Sequence, residues 1–134
     1  MTTSLKVGDS ARMTKRFTDK DVRDFAKLSE DQNPLHLDEE YARTTPFGGR
    51  IVHGILVSSM FSALLASQLP GQGTIYLQQT LSFKKPVYLG QEIAASVQVI
   101  TIREDKPIVT LRTICTNEKN EIVIEGEAVV KVPS

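Results

Sequence analysis

The chain has 134 residues, of which 40% are hydrophobic, and its 16 basic side chains are balanced by 16 acidic ones. That length fits one domain able to bury roughly two-thirds of its unfolded surface, so folding requires neither disulfide nor metal. The zero net charge argues against nucleic acid or an anionic membrane as main partner; Cys115, the only cysteine, excludes an internal disulfide and a cysteine metal cluster and points to a cytoplasmic setting.

The N-terminal residues lack an apolar run and carry Asp9 early, so they do not read as a signal peptide. Residues 10–17 are expected to form a first strand. Thr18 is placed to cap a helix running to about Ser29, with Asp19 and Asp21 in the first turn, where the helix dipole favours negative charge. Val22, Phe25, Ala26 and Ser29 share one face of it. The next stretch, Ser29-Glu30-Asp31-Gln32-Asn33-Pro34-Leu35-His36-Leu37-Asp38, is expected to be irregular. Asn33-Pro34 marks a turn, and Pro34 pushes Asn33 toward an extended conformation. Asp38 is placed to cap a short helix over Glu39 to Arg43, and Thr44 to Arg50, with Pro46, Gly48 and Gly49, reads as irregular.

A long helix is expected from about Val52 to Leu69, stopped by Pro70-Gly71. His53, Ser58, Ser59, Ser62, Ser67 and Gln68 interrupt its apolar run, which argues for a buried helix and against a membrane span of about 20 residues. Apolar residues cover most of its circumference, so other structure should wrap it. From there on the period is two. Ile75, Leu77, Leu81 and Phe83 alternate with polar residues, as do Ile93 to Val99 and Ile122 to Val132, and Ile108 to Thr116 is a further strand. Turn clusters at 104–107 and 117–120 make these strands antiparallel neighbours. The expected class is α+β, one central helix against a curved antiparallel sheet, with a homodimer formed by covering a sheet edge.

Asp31 and His36 carry the first chemical signal: a carboxylate and an imidazole on one segment can share a water and act as acid and base. The plainer reading is a turn-capping Asp and a satisfied loop His. Asn33 can orient the carboxylate or a substrate carbonyl, or simply form an Asx-turn. Asp31, His36, Asp38 and His53 offer metal-ligand types, but no two have helical i, i+4 spacing and no cysteine joins them, so no metal is expected. Gly54, at the start of the long helix, admits either a ligand oxygen close to free N–H groups or tight packing. Ser62 and Leu65, eight and eleven residues further on, share roughly the side of Gly54 and either line a tunnel or pack the core. Lys84-Lys85 either meets a phosphate or ends a strand in solvent.

The motif Asp31-x-Asn33-Pro34-x-His36-x-Asp38, followed by Ile51-Val52-His53-Gly54, resembles the hydratase-2 motif of MaoC-like hot-dog proteins. The resemblance is nearest to the short, single-domain R-specific enoyl-CoA hydratases of polyhydroxyalkanoate-producing bacteria. It runs on through Leu69-Pro70-Gly71, Ser82-Phe83-Lys84 and Arg103-Glu104-Asp105-Lys106-Pro107. One departure is Glu30, where the family often has Gly. The resemblance implies one hot-dog domain over residues 1–134, a homodimer, and a substrate tunnel near the subunit interface. It implies reversible syn hydration of a trans-2-enoyl-CoA to the (R)-3-hydroxyacyl-CoA, feeding polyester synthesis from β-oxidation. Asp31 and His36 would be catalytic, the Gly54 N–H would hold the thioester oxygen, and Asn33 would orient the loop. Ser62, Leu65 and Val130 would bound an acyl tunnel for short chains of about C4 to C6. No cofactor is implied, coenzyme A being part of the substrate. The alternatives are a hot-dog thioesterase, an acyl-carrier-protein dehydratase, or a binding module without chemistry.

Overall fold

The computed structural model describes residues 5–133. The first strand, β1 (Ser10–Arg16), leads into α1 (Asp19–Ser29). Thr18 Oγ1 accepts from Asp21 N at 3.1 Å and the Asp21 carboxylate accepts from Thr18 N at 3.0 Å. This reciprocal capping box satisfies two N–H groups at the start of α1. Val22 and Ala26 form its buried stripe. The helix ends on Glu30, whose φ of 66° is left-handed, a conformation that favours glycine.

The following stretch departs from the expected irregular loop. Asn33 is extended as its proline neighbour requires (φ −55°, ψ 126°), but Pro34 then opens a single helical turn, α2 (Pro34–Leu37). Proline restricts the residue before it while itself suiting the first helical position, where no N–H is needed. Asp38 closes α2 and caps α3 (Glu39–Arg43), accepting from Tyr41 N at 3.2 Å. The long helix, α4 (Gly54–Ser67), is shorter than expected at both ends, with His53 as N-cap residue.

The strands β2 (Ile75–Gln79), β3 (Ser82–Phe83), β4 (Glu92–Ile102), β5 (Ile108–Thr116) and β6 (Ile122–Lys131) complete the fold. With β1 they make one antiparallel sheet, ordered β1-β4-β5-β6-β2, with β3 also on β6. Register shifts at Val99/Thr101, Cys115/Thr116 and Tyr76/Gln78 mark bulges, which bend and twist a sheet. The sheet curves around α4, the hot-dog arrangement. Val57, Met60, Phe61, Leu64 and Leu65 of α4 pack with Ile93, Ala95, Val97, Leu111, Ala128 and Val130 of the sheet in one core cluster.

Two expectations change. α4 is wrapped on one side only: Ile55, Ser59, Ser62, Ala63 and Ala66 are exposed. The alternating run from Ile75 to Phe83 is not one half-buried strand but two short ones, and Ile75, Leu77 and Phe83 remain exposed. The run lies on the margin of the sheet and is broken where Thr80 crosses Gly126. There Thr80 N donates to Glu127 O at 2.9 Å, and a Cβ on Gly126 would lie 1.8 Å from Thr80 O. No helix among the described residues is long and apolar enough to cross a membrane.

Candidate active site

The site gathers around segment 51–54, which leads into α4 and packs against α2 and the α1–α2 loop. His36, on α2, is buried (8% exposed), and its Nδ1 lies 2.8 Å from Ile51 O. A carbonyl only accepts, so Nδ1 carries the proton and Nε2 of the neutral ring keeps a lone pair. Asp31 is exposed on the loop after α1. Ser29 Oγ accepts from its N–H at 3.1 Å, and its Oδ1 accepts from Asn33 N at 3.3 Å. One ligand atom from each of Asp31, His36 and His53 lies within 4.8 Å of the others. Two hydrogen bonds to one water span about that distance.

Asn33 acts through both its parts. Its main-chain N–H holds the Asp31 carboxylate, and its side-chain Oδ1 accepts from Leu35 N at 3.1 Å, capping α2. Arg50 holds the other side of α2: its Nε donates to His36 O at 2.7 Å and its Nη2 lies 2.7 Å from Asp19 Oδ1 at the start of α1. The Arg50 hydrogen bond, ahead of that of Arg23, holds the Asp19 carboxyl below its usual range.

His53 is almost fully buried (2% exposed), and its Nε2 lies 3.0 Å from Asp31 O. Its ring stacks on His36 with centroids 3.8 Å apart and planes 25° apart, and Phe25 meets its other side edge-on at 4.9 Å. Burial pushes the His53 pKa down, and the charge of His36 acts in the same direction. Asp31, His36 and His53 each offer one metal-ligand atom, but one ring nitrogen of each histidine, His36 Nδ1 and His53 Nε2, is already engaged by a main-chain carbonyl. Asp38 stands apart from this group, its carboxylate engaged in capping α3.

Gly54 opens α4 with no side-chain cap above it. Its free N–H and those of the first turn carry the positive end of the helix dipole. The Phe83 ring covers the glycine so closely that a Cβ there would meet Cε1 at 2.5 Å. Beside it lies a cavity of about 400 Å³ walled by Phe47, Ile51, Gly54, Ile55, Phe83 and Val87, with Lys84 and Lys85 also on its wall. Both lysines face carboxylates of the neighbouring chain segment, Glu125 at 3.7 Å and Glu121 at 3.0 Å. A carboxylate and an imidazole, an uncapped helix N-terminus and an apolar cavity therefore meet at one four-residue segment. The profile of the MaoC like domain matches residues 4–120.

This chain belongs to the MaoC-like family. The (R)-specific enoyl-CoA hydratase of Aeromonas caviae is 55% identical to it over 130 residues, covering 97% of both chains. A mitochondrial 3-hydroxyacyl-[acyl-carrier-protein] dehydratase of Arabidopsis thaliana is 46% identical, covering 98% of this chain and 80% of its own. Among solved structures, the A. caviae (R)-hydratase involved in PHA biosynthesis superposes with a TM-score of 0.96 over 97% of this chain and 98% of that one.

In this MaoC-like chain Asp31, His36, Asn33 and Gly54 come together, whereas the three tunnel positions do not join them. Leu65 and Val130 are fully packed in the core cluster, and Ser62 is exposed on the open face of α4. Sequence reasoning gave no site role to Arg50, Phe25 or Phe83, and took His53 as a metal-ligand type and as one position of the Ile51-Val52-His53-Gly54 motif. Their roles rest on contacts with main-chain atoms or ring faces, which leave no spacing signal.

Proposed function

We propose that this chain is an (R)-specific enoyl-CoA hydratase, a hydro-lyase that adds water reversibly and syn to a short trans-2-enoyl-CoA. The observation that carries this reading is the Asp31–His36 pair, close enough to hold one water, beside the free N-terminus of α4. The pair takes one proton from the water as its oxygen bonds to C3. The C2–C3 π electrons shift toward C2 and the thioester carbonyl, where the Gly54 N–H and the helix dipole stabilise the oxygen. The pair then returns one proton to C2 on the same face, giving the (R)-3-hydroxyacyl-CoA. The fixed tautomer of His36 leaves Nε2 free to exchange that proton. No metal or cofactor has a step in this scheme.

The cavity beside Gly54, about 400 Å³, supports short acyl chains of about C4 to C6. The open edge at β2 and the uncovered face of α4 support a homodimer. The high identity to an (R)-hydratase supports supply of (R)-3-hydroxyacyl-CoA to polyester synthesis, and the lone buried thiol of Cys115 suits the cytoplasm. A second reading, dehydration of a carrier-protein substrate, is favoured by carrier-protein dehydratase relatives such as that of Arabidopsis thaliana and runs the same chemistry backwards on another carrier.

Crotonyl-CoA tests this directly. Loss of enoyl-thioester absorbance without thiol release, giving a product that an (S)-specific dehydrogenase ignores, is the expected result. Thiol release would mean a thioesterase, and activity on crotonyl-carrier protein alone would mean the second reading. Asp31→Ala and His36→Ala should each lower turnover by about 100-fold or more with the fold intact by circular dichroism. A C12 enoyl-CoA hydrated as fast as crotonyl-CoA would refute the short-chain pocket.

A further inference from the structure

The proposed chemistry uses Asp31 and His36 but leaves a second buried imidazole beside them without a task. His53 is the N-cap residue of α4, yet its side chain caps nothing there. The ring turns instead toward the α1–α2 loop, placing Nε2 3.0 Å from Asp31 O. Because that oxygen is an acceptor, Nε2 must be the protonated nitrogen. Nδ1 is then a bare lone pair, buried with no hydrogen-bond partner. A ring with one committed N–H and one buried lone pair can be kept only if it is neutral, and burial holds it in that form. The ionisable groups facing it are the Asp31 carboxylate, from the loop, and His36, from α2; Phe25, from α1, presents only an apolar edge.

We propose that His53 is a positioning residue that sets the base and the acid of the hydration step against each other. Through Nε2–H it fixes the main chain at Asp31, and through its ring face it fixes the plane of His36, 3.8 Å away. Each thereby gains a further tether. Asp31 has its Ser29 and Asn33 hydrogen bonds and the His53 clamp; His36 has the Ile51 carbonyl, the Arg50 bond to its main chain and the His53 stack. Asp31 especially needs this, since its side chain is exposed and its loop follows a left-handed residue, Glu30. Neutrality is part of the device. A neutral ring supports an imidazolium at His36 during turnover, whereas a charged one would repel it at stacking distance.

This inference rests on the hydratase reading, so the test separates the two. Wild type, His53→Phe and His53→Gln are assayed on crotonyl-CoA, with folding followed by circular dichroism. Phe keeps the stacked ring and loses the N–H; Gln keeps a donor near the Nε2 position and loses the ring. Displacements of about 1 Å in a catalytic group are worth up to about 100-fold. His53→Phe should lower kcat by about tenfold or more with KM within about threefold, and His53→Gln should recover part of that loss. In an Asp31→Ala background His53→Phe should cost less than about twofold further, because the N–H it removes acts through Asp31. A folded His53→Phe variant with kcat within about twofold of wild type would overturn the proposal. So would losses that multiply fully with that of Asp31→Ala. Nitrogen-15 NMR of the wild-type imidazoles adds an arm that needs neither variant nor activity. Neutral, Nε2-protonated His53 at pH 7 supports the proposal; an Nδ1-protonated or charged ring overturns it, even if crotonyl-CoA proves not to be a substrate.

Discussion

Glu30 and His53 show how single residues tune the site from opposite ends of the Asp31 main chain. Glu30 adopts φ 66° as C-cap of α1, one position before the proposed catalytic carboxylate. Glycine takes this conformation without a Cβ penalty, so Glu30→Gly should stabilise the protein by about 0.5–1 kcal/mol in urea unfolding. An unchanged or lower midpoint would show that the Glu30 side chain has a compensating role. His53 gives the pH dependence its sign. Burial first, then the His36 charge, lowers its pKa from 6.5 in the fold, against the raising effect of Asp31. The unfolded chain thus takes up the proton at higher pH than the folded one. The stabilising share is present above about pH 6.5 and is lost as pH falls through the lower folded value. Thermal unfolding at pH 8 and 5.5 should show a larger drop for wild type than for His53→Gln. Equal drops would contradict this assignment.

Elements, in turn, are joined by a few contacts far apart in sequence. Arg50 links α1 and α2 through Asp19 and His36 O, so the turn carrying His36 is anchored to the capped start of α1. On the sheet, β2 and β3 can both lie on β6 only because Gly126 lets Thr80 cross it. A methyl at Gly126 would stand 1.8 Å from Thr80 O, a main-chain atom that cannot swing away. Gly126→Ala should therefore lower stability by about 2–3 kcal/mol and loosen the β2–β3 segment in hydrogen exchange. Gly54→Ala is a gentler case by the same reasoning. The group it meets is the exposed Phe83 ring, which can rotate, so that substitution should act on turnover more than on folding.

For the molecule as a whole, the decisive feature is what one chain leaves uncovered. Ile75 and Leu77 on β2 are 56% and 52% exposed, and Ile55 on α4 is 56% exposed. An apolar edge strand together with an exposed Ile55 on the open face of α4 is a liability unless something pairs with them. The proposed homodimer would cover such surfaces, so light scattering should give the mass of two chains at micromolar concentration. A monomer with full activity would remove the homodimer from the proposal.

Local chemistry was legible in the sequence. Thr18 and Asp38 announced α1 and α3 because each is an N-cap residue type directly ahead of an acidic first turn. β4 and β5 followed from strict alternation over a sheet with one buried face. The Asp31–His36 motif was legible too, as two side-chain types on one short segment. What the tertiary structure alone decided is the set of contacts made to atoms every residue possesses. The Ile51 carbonyl fixes the tautomer of His36 across 15 residues, and the Asp31 carbonyl receives His53 across 22. A carbonyl has no residue identity, so no pattern in the sequence could mark it. Likewise, alternation at Ile75–Phe83 signalled a strand but not its exposure, because burial depends on which neighbour arrives, and β2 lies at the edge of its own sheet.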